Sequence, residues 1–326
     1  MGVVMASPCH VRRSSSRGDR YRRSVAVLAS VRRTVLVFGA ALLAAGCGST
    51  GPRTGEVLVA DAGEVAAMVG LDDGGLRIGE RGSGEISEVD AGGRTRRLTR
   101  VDVRSGGQRG LLGLAVDGAD RTFAAWTRPD GRLVVGQVAP GPTRLVWRGP
   151  SSTELGNGGH VAFAGDGRLV LGVGDLQAPA LADDPDAANG KMLALDPDGP
   201  PDQRPVVLSD GYTNPFAFAV TPGGALWVFD NATRSDPERL VRGDQPAEPA
   251  LEQVEEMAPS GLAAVAEDQL VVCGYRSRTL EHVAIHADGS ATRGNVLAED
   301  CAFGVAVLAD GRIAYGDGES VRVVRR

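Results

Sequence analysis

One phrase recurs six times along the chain and constrains its fold more than any other feature. A short apolar strand, a polar turn and a second short strand appear as "VGLDDGGLRIGE", "LAVDGADRTFAAW", "VAFAGDGRLVLGVGD", "FAVTPGGALWVFD", "LAAVAEDQLVVCG" and "VAVLADGRIAYGD". The equivalent positions Leu76, Phe123, Leu169, Leu226, Leu270 and Ile313 lie about 43–57 residues apart. One hairpin cannot bury its own apolar face, but stacked copies can, so a repeat of this length in a chain of strands and turns marks a propeller blade. The fold predicted is all-β: a six-bladed β-propeller with about four strands per blade. Each phrase is the inner hairpin of a blade, and stretches such as "GEISEVDAGGRTRRL" and "TLEHVAIHADGSATR" supply outer strands. A β-sandwich, the competing all-β layout, seldom repeats one hairpin six times.

The repeat starts only after a distinct N-terminus. Arg12, Arg13, Arg17, Arg20, Arg22, Arg23, Arg32 and Arg33 precede "TVLVFGAALLAAGC". Its apolar run of about 12 residues is too short to span a bilayer and suits an export signal. A basic nucleic-acid arm would not lead into such a run. The run ends Ala44-Ala45-Gly46-Cys47, similar to a bacterial lipobox, with Ala44 where Leu is usual. In that motif the Cys is lipidated and begins the mature protein. An ordinary cleaved signal with an incidental cysteine competes with this reading, and "RRTVL" loosely resembles a twin-arginine signal. The organisation expected is a leader over 1–46, a lipidated Cys47 with a flexible tether to 55, and the propeller over 56–326. The protein would then be exported, monomeric and held by its lipid to the outer face of the cell membrane.

The remaining composition narrows the function. Eight of the arginines sit in the leader, so a chain of net charge −6 leaves a distinctly acidic domain, with no basic aromatic surface for nucleic acid. Neither a glycine-rich phosphate loop nor a Ser-His-Asp set is evident. Cys9 falls in the leader, and Cys273 and Cys301 form an even pair that predicts a disulfide outside the cytoplasm.

In a propeller, the loop entering each inner strand and the loop after the second strand emerge on one face. That top face should gather Gln108, Gly156, Asn157, Thr213, Asn214, Ser260 and Cys301 from the entering loops. Glu80, Asp175, Asp230, Asn231 and Cys273 come from the others. A ligand site belongs there.

Five stretches in order, "GQRGLLGLA" (107–115), "NGGHVAFAGDGRLVLGVGD" (157–175), "DPDAANGKMLALDPDG" (185–199), "GYTNPFAFAVTPGGALWVFDN" (211–231) and "APSGLA" (258–263), resemble the glucose/sorbosone dehydrogenase family. The resemblance implies an exported aldose dehydrogenase using pyrroloquinoline quinone (PQQ) and calcium. A His base takes the anomeric hydroxyl proton, an Asp orients it, and an Arg and polar amides hold the quinone. Gly158-Gly159 and Gly174-Asp175 set the register. The His position is Gly156, the Arg position is Thr213, and the orienting Asp is Asp175. Gln108, Asn157, Thr213 and Asn214 form the implied cofactor set, and Asp230 and Asn231 the implied metal candidates.

His160 lies four residues along the strand, roughly 13 Å from position 156 at about 3.3 Å per residue. That distance favours a packed role over a replacement base. His282 and His286 share one face of an outer strand, as a solvated pair or a metal pair. "ADDPD" and "LDPDG" read as turns that imitate calcium loops. With 14 aromatic residues in the chain, the best sugar platforms are Tyr212, Trp227 and Tyr275. Two functions follow from these residues. One is a PQQ-dependent sugar dehydrogenase with degenerate or lost catalysis. The other is a non-catalytic, lipid-anchored propeller that binds a carbohydrate or a protein on its top face.

Overall fold

The computed structural model describes residues 53–232, 236–253 and 256–326. The leader, Cys9 and Cys47 lie outside the described residues. Strand β1 (Glu56–Val59) comes first, and blade 1 follows as β2 (Val65–Gly70), β3 (Leu76–Glu80), β4 (Glu85–Val89) and β5 (Thr95–Arg100). Blade 2 is β6 (Leu111–Val116), β7 (Thr122–Thr127), β8 (Arg132–Ala139) and β9 (Arg144–Ser151). Blade 3 is β10 (Gly158–Phe163), β11 (Leu169–Val173), β12 (Lys191–Leu195) and β13 (Val206–Ser209). Blade 4 is β14 (Ala217–Val220), β15 (Leu226–Asp230), β16 (Glu238–Arg242) and β17 (Pro249–Gln253). Blade 5 is β18 (Pro259–Ala266), β19 (Gln269–Gly274), β20 (Leu280–Ile285) and β21 (Ala291–Ala298). Blade 6 holds β22 (Phe303–Val307), β23 (Ile313–Gly316) and β24 (Val321–Val324).

These form six four-stranded antiparallel sheets, the six-bladed propeller that the repeat predicts. Every repeated phrase is an inner hairpin. The last sheet runs β1-β24-β23-β22, so the start of the domain supplies the outer strand of its final blade, with Glu56 opposite Val323 and Val57 opposite Arg322. The bonding starts ahead of β1. Gly55 N donates to the Tyr315 hydroxyl at 2.8 Å, and Arg53 Nη1 donates to Val296 O at 2.8 Å.

Alternation on each strand explains why the inner strands are apolar almost throughout. Successive side chains point to opposite faces, and here both faces meet another blade. On β11, Leu169 and Leu171 join a core with Leu112, Phe123 and Val135 of blade 2. Val170, between them, joins Phe218 and Val228 of blade 4. The same division on β19 sends Leu270 and Val272 toward blade 4, and Val271 and Cys273 toward blade 6. Six separate cores, one per blade interface, take the place of a single centre. Within the blade 5–6 core, Cys273 and Cys301 form the expected disulfide, with Cα atoms 5.8 Å apart.

Candidate functional site

A cavity of about 290 Å³ opens at the channel mouth on the top face. Its polar lining includes Gln108, Asn214, Asn231 and Ser260, all expected there, and Glu64 and Arg81, which were not. Phe216, Phe303, Leu112, Leu155 and Tyr275 supply the apolar lining. Glu64 belongs to the loop entering blade 1, and the logic that places Gln108 at the mouth would have found it. Arg81 directly follows Glu80, which the topology assigns to this face.

Side-chain bonds link one entering loop to the next around the mouth. Gln108 Oε1 accepts from Gly156 N at 2.6 Å, and Asn214 Oδ1 accepts from Gly158 N at 2.9 Å. The Asp230 carboxylate accepts from Thr213 N at 3.1 Å and from Asn214 N at 2.8 Å. Glu238 accepts from Met257 N and Ala258 N, both at 2.8 Å. Arg81 Nη1 donates to the carbonyls of Gly107 and Arg109. Buried backbone N–H groups in irregular loops need such partners.

The turn at 156 is built for glycine. Gly156 has φ +69°, and a Cβ there would lie 2.8 Å from Asp175 Oδ1. The space where the family resemblance implies a base is therefore taken up by the carboxylate meant to orient it. Asp175 Oδ1 instead accepts from Gln177 N at 2.8 Å. Leu176 and Gln177 both take left-handed conformations, φ +55° and +59°, which non-glycine residues adopt at a cost. Burial raises the Asp175 carboxyl above the usual range. Thr213 meets this turn through its backbone, its carbonyl accepting from Asp175 N at 2.8 Å.

Asn157 is buried but does not line the cavity. Its amide spans its own loop, accepting from Thr153 N and donating to Thr153 O, both at 2.8 Å. Tyr212 is 2% exposed, its hydroxyl bonded to Ser209 Oγ and pushed up to about 12 by burial. Trp227 is 4% exposed within the blade 4–5 core. Neither presents a ring face to a ligand; Tyr275 is 54% exposed, with its ring centroid 5.3 Å from that of Phe303. His160 faces the lower channel among Met68, Leu114 and Val305, with its ring 4.7 Å from that of Phe218. Burial lowers its pKa to about 4. His282 and His286 bond to different partners, Gln269 and Thr292. The first carbonyl of the "ADDPD" stretch meets a cation from the chain itself: buried Lys191 Nζ donates to Ala182 O at 2.7 Å, and also to Asn189 O at 3.2 Å.

The fit to the implied cofactors is poor. Asp230 is buried, its oxygens taken by two amides with Arg239 3.6 Å away, and desolvation raises its pKa. Asn231 Nδ2 is placed to donate to Ala232 O and Glu238 Oε1, each at 3.2 Å. Residues 233–235, in the loop where the resemblance puts calcium, lie outside the described residues. PQQ is a tricarboxylate, and carboxylates are held best by guanidinium groups. Among the described residues, Arg81 is the basic side chain lining the mouth, and it is paired with Glu64 Oε2 at 2.5 Å.

Comparison with known proteins agrees with this architecture. The sequence profile described as glucose/sorbosone dehydrogenase matches residues 64–238, more than half of the chain. No curated protein matches. A solved oxidoreductase from Thermus thermophilus, described as a glucose dehydrogenase, is 25% identical with a TM-score of 0.69, the match covering 83% of this chain and 99% of that one. The PQQ-bound aldose sugar dehydrogenase of Streptomyces coelicolor is 22% identical with a TM-score of 0.70, covering 84% and 98%. The apo form of the soluble aldose sugar dehydrogenase of Escherichia coli is 22% identical with a TM-score of 0.71, covering 83% and 98%. At that identity these two speak for the fold. With the profile match over blades 1–3 and the inner hairpin of blade 4, the chain belongs to the glucose/sorbosone dehydrogenase family.

Proposed function

We propose that this protein is exported, anchored through a lipidated Cys47 to the outer face of the cell membrane, and binds a carbohydrate at its channel mouth without oxidising it. The observation that carries this reading is the left-handed turn at Gly156 with the Asp175 carboxylate against it. Sugar oxidation of the family type requires a base at the anomeric hydroxyl, and a positioned base is worth about 10²–10⁴ in rate. No side chain extends from position 156, and His160 lies against Phe218 in the lower channel. The mouth suits a neutral polyol. Among the described residues, the Arg81 guanidinium and the Glu64 carboxylate neutralise each other, leaving the Gln108, Asn214 and Asn231 amides, the Ser260 hydroxyl and the aromatic edges of Tyr275 and Phe303.

Family membership favours a second reading, a PQQ-dependent sugar dehydrogenase with a rearranged site, because Gln108, Asn214 and Asp175 surround the 156 turn. Titration of the purified protein with PQQ and Ca²⁺ separates the two. We expect no shift in quinone absorbance and no dye reduction with glucose or other aldoses. Turnover that depends on PQQ and Ca²⁺ and disappears in Asp175→Ala would overturn the binding reading. The anchor has its own test: Cys47→Ser should release the protein from the membrane fraction or block its processing, and unchanged fractionation would count against lipidation.

A further inference from the structure

We infer that the top face carries a second carbohydrate subsite beside the channel mouth, so that the ligand is a neutral glycan chain lying across the face rather than a single free sugar. This rests on the carbohydrate reading above. A second cavity, about 520 Å³, lies between blades 5, 6 and 1 and is lined by Arg278, Asp300, Asp317, Gly318, Glu319 and Arg322. It shares Glu64, Tyr275 and Phe303 with the mouth, so the two cavities meet along a common wall. Tyr275 stands on that wall more than half exposed, backed by Phe303. A ligand passing from one cavity to the other crosses its ring.

The walls of the second cavity are held in place by the protein's own bonds. Arg278 Nη2 donates to the carbonyls of Asp300 and Asp317, at 3.2 and 2.8 Å. Arg322 Nε pairs with Asp300 and Asp317, at 3.2 and 2.5 Å, and its Nη1 donates to Gly55 O. Arg322 is paired with two carboxylates, and on this lining the carboxylates of Glu64, Asp300, Asp317 and Glu319 outnumber the guanidinium groups of Arg278 and Arg322, which disfavours an anionic ligand. The Glu319 carboxylate and the Tyr275 hydroxyl take no bond from the protein among the described residues, and both residues line the cavity. An aromatic platform beside a free acceptor, on a wall where carboxylates outnumber guanidinium groups, matches the apolar face and paired hydroxyls of a neutral sugar ring. Because the mouth is one stop along a groove, internal units of a chain can occupy it, and a free anomeric hydroxyl is not needed there.

The test is titration calorimetry of the purified protein with maltohexaose, cellohexaose, mannohexaose and chitohexaose against glucose, mannose and N-acetylglucosamine. We expect one hexasaccharide to bind at least tenfold tighter than its monosaccharide, and borohydride reduction of its end to leave that affinity within about twofold. Tyr275→Ala should lower hexasaccharide affinity about tenfold, as expected for loss of a ring contact. Glu319→Ala should lower it several-fold. Both side chains are exposed, so thermal melting should stay at the wild-type value and report intact folding. Hexasaccharide and monosaccharide affinities within twofold of each other would overturn the second subsite while leaving the mouth reading in place. Binding of none of these sugars would remove the carbohydrate reading, and the subsite with it.

Discussion

Gly156→Ala probes the turn on which the functional reading depends. Two terms add. Alanine in a left-handed conformation costs about 1–2 kcal/mol relative to glycine. Its Cβ would also meet Asp175 Oδ1 at 2.8 Å, closer than such atoms approach, so the carboxylate must move. Moving it breaks the bond from Gln177 N, and a hydrogen bond to a charged group is worth about 1.5–3 kcal/mol. The expected loss is about 2.5–5 kcal/mol, measured by urea unfolding with the disulfide intact. Gly211→Ala is the control: φ there is +80°, but a Cβ would meet nothing within 4 Å, so only the first term applies. Asp175→Ala removes the obstructing oxygen, so the double variant should cost less than the sum of the two single ones. A Gly156→Ala cost no greater than that of Gly211→Ala, or additivity within about 0.5 kcal/mol, would refute the steric account. A histidine at 156 meets both terms. Restoring a base there requires rebuilding the 154–158 turn, and Gly156→His with Thr213→Arg should destabilise the protein before it confers activity.

Breaking the Cys273–Cys301 bridge, by reduction or Cys→Ser, should cost about 3–4 kcal/mol from the loop of 28 residues that it closes; an unchanged unfolding midpoint under reductant would contradict this. His160 should make the protein acid-sensitive. Its native pKa of about 4 lies below the unfolded value of about 6.5, so its contribution is fully present above the unfolded value and is lost as pH falls toward 4, by about 3 kcal/mol in all. Buried Asp175, Asp230 and Glu238, with raised values, favour the native state as pH falls. The check is therefore the difference between wild type and His160→Leu from pH 7.5 to 4, and a flat difference would show that the ring is solvated.

The blades were legible because each repeats a local hairpin, and a hairpin announces itself within a dozen residues. The closing strand did not. "EVLV" at 56–59 lies outside the repeated phrase, and its partner β24 is about 260 residues away in sequence. Loop positions were legible for the same topological reason: Gln108, Asn214, Asn231 and Ser260 all reach the mouth. Which way a side chain points from its loop was not. Asn157 sits in the expected loop but turns inward to bond Thr153. Tyr212 follows a top-face glycine yet buries its ring because Ser209 satisfies its hydroxyl. Trp227 lies on a strand where alternation carries it into the blade 4–5 core. Glu64 and Arg81 lie in loops that the topology brings to the mouth, but their pairing with each other is a property of the folded loops alone.

The same bonds change what the family-like residues signify. Gln108 and Asn214 correspond to cofactor-holding amides by resemblance, which invites the conclusion that a cofactor is held. Here each has a sufficient structural task. Gln108 Oε1 satisfies Gly156 N, and Asn214 Oδ1 satisfies Gly158 N, two donors of the left-handed turn from which β10 begins. Removing either side chain would leave a desolvated amide without a partner, at about 1–3 kcal/mol. Asp230 does the same for residues 213 and 214. A propeller of this family can therefore keep these residues for the sake of its loops after the base has gone, and their presence does not discriminate between the two readings. Position 156 does, because no loop-stabilising bond substitutes for a missing imidazole. The left-handed turn against Asp175 is a conformation that glycine holds readily and histidine does not.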